Sequence, residues 1–245
     1  MAKRITFQFE DDLDYQMQAI HSTVELFRGL SRHVDGIYRP NRIRKVGEGD
    51  PVRNNDIVVG SRLLENLRKV QLSNDLFADN VLADGNNFTI EMETGTGKTY
   101  VYLRTILELY QEYGFRKFMI VVPSIAIRKG VEKSMEQLAD HFKRLYNIDI
   151  GKHSFIYDSK NPKQISSKLV ESNDLSICVL NIQAFNKDTN ILKDYADSLK
   201  SDKNFNIVAR MMIPMEECKR FCQEEAGRRF KKKYWNPITI KIAIA

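Results

Sequence analysis

Cysteine is scarce in this chain, and long apolar runs are missing from it. The 245 residues include 3 cysteines, Cys178, Cys218 and Cys222, and so sparse and odd a set argues against a disulfide framework and fits a reducing compartment. Cys218 and Cys222 have no Cys or His partner nearby in the sequence, so no zinc site is predicted. No stretch approaches the roughly 20 apolar residues that cross a bilayer.

The start of the chain lacks the apolar part of an export signal. The opening MAKRITFQFEDD has a basic tip, but no apolar stretch follows it, so it is not a secretory signal. Together with the missing apolar runs, this predicts a cytoplasmic protein without a membrane segment.

The composition itself is that of a globular protein with a basic excess. Hydrophobic residues make up 42% and charged residues 29% of the chain, which is enough apolar material for the core of one large or two small domains. The formal net charge is +6. A basic excess favours polyanionic partners such as nucleic acid, although the charge alone is a weak signal.

Apolar spacing predicts three regions, at residues 1–85, 86–200 and 201–245. The first is a helical segment with an irregular basic loop, DGIYRPNRIRKVGEGDPVRNN, at residues 35–55. One helix precedes this loop and ends near Gly29, and a second follows in DIVVGSRLLENLRKVQL. The first helix is marked by apolar residues at spacings of four and three, namely Leu13, Met17, Ile20, Val24 and Phe27.

The second region alternates strands and helices. FTIEM, KFMIVVPS, SFIYDS and LSICVLN have the apolar character of strands, and amphipathic helices are predicted after the first two. Such alternation implies right-handed crossovers, and so an α/β fold with a parallel sheet flanked by helices. The third region is a basic tail whose ending, NPITIKIAIA, alternates like an edge strand. No place in the sheet is predicted for this tail.

A glycine-rich loop joins the first strand of this region to its helix, in FTIEMETGTGKTYVYLRTIL. Gly95 and Gly97 let backbone N–H groups point at phosphate oxygens without an intervening side chain. Lys98 is predicted to contact the β- and γ-phosphates, and the Thr99 hydroxyl to bind Mg²⁺. The strict pattern has a further glycine where Met92 stands. The competing interpretation is a glycine-rich turn without a ligand.

Two further stretches are candidate contact sites. In VVPSIAIRKGV a buried strand ends at Pro123 and Ser124, and the helix that follows offers free N–H groups and Arg128 to a phosphate backbone. An ordinary strand-to-helix junction explains the same pattern equally well. In LDYQMQAI, the Gln16 carboxamide has the donor and acceptor needed to bind the adenine edge, but a surface glutamine on a helix would look the same.

In this order, these stretches resemble the start of a superfamily-two helicase motor, and more narrowly the Res subunit of type III restriction-modification enzymes. ENLRKVQLSNDL and VLNIQAFNKDTNI carry the resemblance further, so that it covers about residues 5–193. It implies a RecA-like domain, ATP and Mg²⁺ as cofactors, and DNA and a methyltransferase (Mod) subunit as partners.

The resemblance also implies residue roles. Gln16 would bind adenine, and Pro123, Ser124 and Arg128 would touch the DNA backbone. Asn181 to Asn186 would form a further motif at a strand end, facing DNA. The phosphate-binding motif would comprise Thr94, Gly95, Thr96, Gly97, Lys98 and Thr99.

The family pattern fails after NKDTNI. A buried strand ending in Asp-Glu should follow, but no Asp-Glu pair occurs after residue 100, and Glu216 and Glu217 in MMIPMEEC are a chance imitation interrupted by Pro214. The Asp supports the Mg²⁺ shell and the Glu positions the attacking water. The expectation is therefore a truncated or frame-shifted Res subunit with an incomplete RecA-like domain. Such a chain would bind ATP without DNA-stimulated hydrolysis or DNA cleavage.

Two other functions remain open. A small P-loop kinase would need a lid with several arginines, and the basic run GRRFKKK lies only in the unpatterned tail. A non-enzymatic module that binds DNA or the Mod subunit is compatible with the basic loop and the basic tail, and would bind DNA independently of ATP.

Overall fold

The structure is a computed structural model of the chain. It describes residues 10, 12–29, 32–34, 37–39, 61–82, 87–158, 161, 164, 166–172, 174–181, 184, 207–211 and 239–244. Across these ranges, none of the helices combines the length and apolarity that a bilayer crossing requires.

The N-terminal region holds the two predicted helices. Helix α1 spans Asp14–Glu25 and runs into a turn that ends at Gly29, which has φ +65°. Helix α2 spans Ser61–Ser73. Between them, strand β1 (Arg32–Val34) pairs antiparallel with strand β2 (Ile37–Arg39). The prediction of a wholly irregular loop from residue 35 is therefore wrong for β2, because hairpin pairing gives order to a segment whose Gly and Pro content suggested none.

The α/β region follows as an alternation of strands and helices. Its elements are strand β3 (Asn87–Met92), helix α3 (Lys98–Tyr113), strand β4 (Lys117–Val122), helix α4 (Ile125–Tyr146), the short helix α5 (Ile150–His153), strand β5 (Ser154–Ile156), a π-helical turn (Ser166–Glu171), and strands β6 (Ser176–Asn181), β7 (Ile207–Met211) and β8 (Thr239–Ile244).

Within the described residues, the strands from β3 onward form one six-stranded sheet in the order β3-β8-β7-β4-β6-β5. Every pairing in it is parallel, and helices flank it, which confirms the predicted fold class of an α/β, partial RecA-like domain. Strand β8 lies between β3 and β7, so the prediction of an edge strand is wrong. An alternating pattern describes the two faces of a strand and leaves its neighbours undetermined.

The core forms around β4 and α3. All six residues of β4 are buried, as predicted for a strand covered on both sides. Phe27, directly after α1, is 1% exposed and lies against Phe115 at 5.2 Å and Tyr113 at 5.8 Å between ring centroids. The Tyr113 hydroxyl donates to the Val24 carbonyl at 2.8 Å. These contacts fix α1 to the end of α3.

A side-chain network joins α3 to α4. The Tyr100 hydroxyl lies 3.1 Å from His141 Nε2 and accepts from Arg104 Nη1 at 2.9 Å. Arg104 Nε donates to the Tyr146 hydroxyl at 2.8 Å, and this hydroxyl donates to Glu108 Oε1 at 2.5 Å. Burial and the Glu108 carboxylate raise the pKa of Tyr146, which keeps the phenol protonated as a donor. The network fixes the two helices to each other.

Candidate nucleotide-binding site

The glycine-rich loop lies where the sequence places it, between the end of β3 at Met92 and the start of α3 at Lys98. Gly95 has φ +84° and Gly97 has φ +79°. Both values belong to the left-handed region that residues with a Cβ adopt at a cost. The glycines are therefore required by the backbone path of the loop, as the sequence pattern predicts.

Lys98 is directed into the loop. It is 7% exposed, and its Nζ donates to the Glu93 carbonyl. The Thr96 hydroxyl donates to the same carbonyl at 2.7 Å. Burial lowers the pKa of Lys98, and the nearby Glu93 carboxylate acts in the opposite direction. An ammonium placed among the backbone groups of such a loop can transfer from a carbonyl to a phosphate oxygen.

Gln16 lies beside the loop rather than on an open surface. It is 6% exposed, and its Nε2 donates to the Thr96 carbonyl at 2.9 Å across 80 residues of sequence. Helix α1 therefore braces the phosphate-binding loop through one side chain. The sequence suggested Gln16 only as an adenine contact. That role stays a prediction, and the bracing bond is a contact that sequence reasoning missed.

A cavity of about 440 Å³ adjoins Gln16 and the first turn of α3. Its walls come from the start of α1, from the loop and from α4. The α4 wall includes Ser134 and Gln137, which the sequence gave no reason to single out. The cavity reaches the first turn of α3 at Thr99 and Tyr100, directly beside the loop.

Thr99 lies in the first turn of α3 and is partly buried. In the described ranges, no three His, Cys, Asp or Glu side chains are grouped closely enough to hold a metal ion. The Thr99 hydroxyl offers a metal ion a single ligand. A Mg²⁺ ion that enters with a nucleotide takes most of its ligands from phosphate and water oxygens, and such a donor set is compatible with this loop.

The other predicted residues meet at the same edge of the sheet. Val122 pairs with Asn181, so Pro123 and Ser124 follow β4 next to the end of β6. All three candidates, together with Arg128, are partly buried. Asn181 Oδ1 is buried and has no hydrogen-bond partner among the described residues. The structure thus brings Pro123, Ser124 and Asn181 together at the carboxyl ends of the strands, where ligands bind in open parallel sheets.

Ser124 also has a structural role. Its hydroxyl accepts a hydrogen bond from the Ile127 N–H at 3.3 Å and caps the N-terminus of α4. The two interpretations of this junction are therefore compatible, since the cap leaves other N–H groups of the first turn available. Asn186, Glu216 and Glu217, and most of the basic loop, lie outside the described residues.

We expect Gly97→Ala to be more destabilising than Gly95→Ala. Both substitutions force alanine into a left-handed conformation at a cost of about 1–2 kcal/mol. A Cβ at Gly97 would also lie 2.5 Å from Gln16 Nε2, whereas a Cβ at Gly95 has nothing within 4 Å. Displacing Gln16 from Thr96 adds about 0.5–1.5 kcal/mol. Urea unfolding measures both free energies.

The matched control is the Gln16→Ala background. There the clash and the bracing bond are both absent, so the difference between the two glycine variants should disappear. An equal difference in both backgrounds would show that Gln16 is not responsible for it.

Comparison with known proteins gives consistent matches. A family model described as "Type III restriction enzyme, res subunit" matches residues 11–242, which extends beyond residue 193 into the tail. The Res subunit of the type III restriction-modification enzyme EcoPI from Escherichia phage P1 is 28% identical over 166 residues, 66% of this chain and 16% of that protein. The StyLTI Res subunit from Salmonella typhimurium is 30% identical over 160 residues, 58% of this chain and 16% of that protein.

Proposed function

This chain belongs to the family of type III restriction enzyme Res subunits, and we propose that it provides the ATP-binding part of a DNA-dependent helicase or translocase motor. The observation that supports this best is the loop at the end of β3. Two glycines with positive φ, a buried lysine directed inward and a glutamine brace occur together there. This combination suits a nucleoside triphosphate better than a turn without a ligand.

Each residue of the site has a role in the proposed complex. The N–H groups from Thr94 to Thr99 hold the phosphates, Lys98 neutralises the β- and γ-phosphates, and Thr99 ligates Mg²⁺. The base lies in the cavity beside Gln16, where the Gln16 carboxamide contacts the adenine edge. Bound Mg²⁺ would supply charge neutralisation at the phosphates.

Binding without turnover is the proposed behaviour of this chain by itself. Hydrolysis needs a group that positions the attacking water and a charge that neutralises the phosphates from the far side. The chain has no Asp-Glu pair after residue 100. It spans 16% of the length of the relatives that it matches, so the cleavage of DNA by a whole enzyme is not assigned to it.

The proposed polymeric partner is DNA, bound at the carboxyl edge of the sheet, and the proposed protein partner is the Mod subunit. Pro123, Ser124 and Asn181 lie together at that edge, and Arg128 is in the first turns of α4. These groups suit a phosphate backbone and include no element that enters a groove to contact bases. A cytoplasmic location is part of the same proposal, since both partners are found there.

We expect DNA binding by this chain to be weak, independent of sequence and steeply dependent on salt. Only backbone contacts are proposed, and their strength comes mainly from counterion release. Fluorescence anisotropy with two unrelated duplexes, measured across a series of salt concentrations, tests this. Nanomolar, sequence-selective binding at physiological salt would contradict the assignment.

Turnover is tested by phosphate release from ATP with and without duplex DNA, with Lys98→Ala as background. We expect no DNA-stimulated release above that background. A rate of about one per second that rises with DNA and disappears in the Lys98→Ala variant would refute binding without turnover. Glu216 and Glu217 would then be the first residues to test. DNA binding that ATP does not affect, with no ATP binding, would favour a non-enzymatic DNA-binding module.

A further inference from the structure

Helix α3 holds a buried phenol, Tyr102, that the proposed nucleotide contacts do not use. Its side chain is 1% exposed. Its hydroxyl is buried as well, and among the described residues no group makes a hydrogen bond of good geometry to it. Leaving a buried hydroxyl without a partner is costly, so such a group in a folded protein calls for an explanation.

The Tyr102 side chain is directed toward the start of α3. Long side chains on a helix lean back toward its N-terminus and cover the residues three and four positions earlier, which for Tyr102 are Thr99 and Lys98. Burial raises the pKa of the Tyr102 phenol, and a hydrogen-bonding contact with the Thr99 side chain acts against that rise. The two hydroxyls are therefore neighbours, but without a well-formed hydrogen bond between them.

Hydroxyl groups further along α3 already have partners. The Thr105 hydroxyl donates to the Val101 carbonyl at 2.8 Å, and the Tyr113 hydroxyl donates to the Val24 carbonyl at 2.8 Å. Tyr102 differs from both, because its hydroxyl is buried equally deeply and keeps its hydrogen-bonding capacity open. That open capacity lies beside the hydroxyl proposed to bind the metal ion.

A hydroxyl that binds Mg²⁺ needs an acceptor for its own proton. Its oxygen offers lone pairs to the ion, so the O–H bond turns away from the ion and donates to another oxygen. Tyr102 Oη has free lone pairs beside the Thr99 side chain. An acceptor of this kind fixes the orientation of a metal ligand and strengthens its bond to the metal.

We propose that Tyr102 is a positioning residue for the Mg²⁺ ligand Thr99. Its oxygen accepts a hydrogen bond from the Thr99 hydroxyl, which turns the lone pairs of Thr99 toward the ion. Both residues lie on α3 about one turn apart, so the helix itself sets their spacing. This inference rests on the proposed function, since it requires a nucleotide and Mg²⁺ at the loop.

The variant Tyr102→Phe removes the hydroxyl and keeps the buried ring. Isothermal titration calorimetry with ATP, in Mg²⁺ and in EDTA, gives the factor by which Mg²⁺ strengthens ATP binding. We expect this factor to fall at least about threefold in Tyr102→Phe, the size for one hydrogen bond of ordinary strength, with no comparable loss of affinity in EDTA. An unchanged factor, or an equal loss in EDTA, would overturn the proposal.

A Thr99→Val background shows whether Tyr102 acts through Thr99. Valine keeps the branched shape of threonine and lacks its hydroxyl, so the Mg²⁺ factor should be low in this background. Adding Tyr102→Phe should then lower the factor no further. An equal fall in both backgrounds would refute the positioning role, as would an unsubstituted chain that binds ATP equally well with and without Mg²⁺.

Tyr113→Phe is the matched control, because it makes the same change on the same helix. Its hydroxyl has the Val24 carbonyl as a partner, so we expect this variant to unfold at lower urea concentration and to keep the Mg²⁺ factor. Tyr102→Phe should not lower the urea midpoint, since the hydroxyl that it removes is unpaired before Mg²⁺ enters.

Two outcomes separate this inference from the proposed function. A urea midpoint lowered as much by Tyr102→Phe as by Tyr113→Phe would show that the Tyr102 hydroxyl is structural, and would overturn the positioning role alone. No ATP binding by the unsubstituted chain, either in Mg²⁺ or in EDTA, would overturn the proposed function and this inference with it.

Discussion

Replacing Lys98 by alanine is expected to weaken ATP binding at least about tenfold. The Lys98 ammonium is buried in the loop at the point where phosphate oxygens would lie. Hydrogen bonds to charged groups contribute about 1.5–3 kcal/mol, and about 1.4 kcal/mol corresponds to a tenfold change in affinity. Isothermal titration calorimetry with ATP and Mg²⁺ measures the change directly.

The control for Lys98→Ala is Lys133→Ala. Lys133 is an exposed lysine on α4, and its loss changes the net charge equally without touching the loop. We expect this control to bind ATP as the unsubstituted chain does. Equal affinity of the Lys98→Ala variant and the unsubstituted chain would show that the loop does not hold the phosphates.

Replacing Phe27 by alanine is expected to lower the free energy of unfolding by about 3–5 kcal/mol, the range for buried phenylalanine. Phe27 packs edge-on against Phe115 at an interplanar angle of 77° and also contacts Tyr113. Its removal leaves a cavity between α1 and the end of α3. Urea unfolding followed by circular dichroism measures the loss.

The variant Phe27→Leu keeps much of the buried volume and should cost clearly less than Phe27→Ala. A loss below about 1 kcal/mol in Phe27→Ala would mean that α1 is not fixed to α3 by this contact. Because α1 carries Gln16, we also expect the alanine variant to bind ATP less tightly. Unchanged ATP affinity would show that the contact of Gln16 with the loop does not depend on the packing of Phe27.

The sequence predicts well the elements that depend on local spacing. Apolar residues from Ile127 to Leu145 predict a helix, and α4 spans Ile125–Tyr146. The glycine-rich loop is likewise local, because both glycines and Lys98 lie within a few residues of one another. Such features need only the period of the pattern and the backbone freedom of glycine.

Contacts between distant parts of the chain could not be predicted in this way. Strand β8 pairs with β3, Asn87 opposite Thr239, and nothing in its short alternating pattern identifies that partner. The contact of Gln16 with the loop likewise spans 80 residues, and only the family resemblance suggested their proximity. Pairing over such separations is decided by the packing of the whole sheet.

Lys117 shows the same limit for a single residue. A lysine at the start of a strand would be expected at the surface, yet it is 1% exposed. Its Nζ donates to the carbonyls of Lys168 and Asp174 at 3.1 and 2.8 Å and to Ser176 Oγ at 3.2 Å. The ammonium is therefore satisfied by oxygens that lie 51, 57 and 59 residues further along the chain, which local patterning does not reveal.

The network between α3 and α4 has a mechanical consequence. Tyr100 lies one residue after Thr99, borders the cavity beside the loop, and is tied through Arg104 to Tyr146 at the far end of α4. Sliding one helix along the other would break the buried Tyr100–His141 contact and the partly buried hydrogen bonds that Tyr146 makes with Arg104 and Glu108. We therefore expect α3 and α4 to shift together rather than to slide past each other, so that a displacement at the start of α3 also displaces α4.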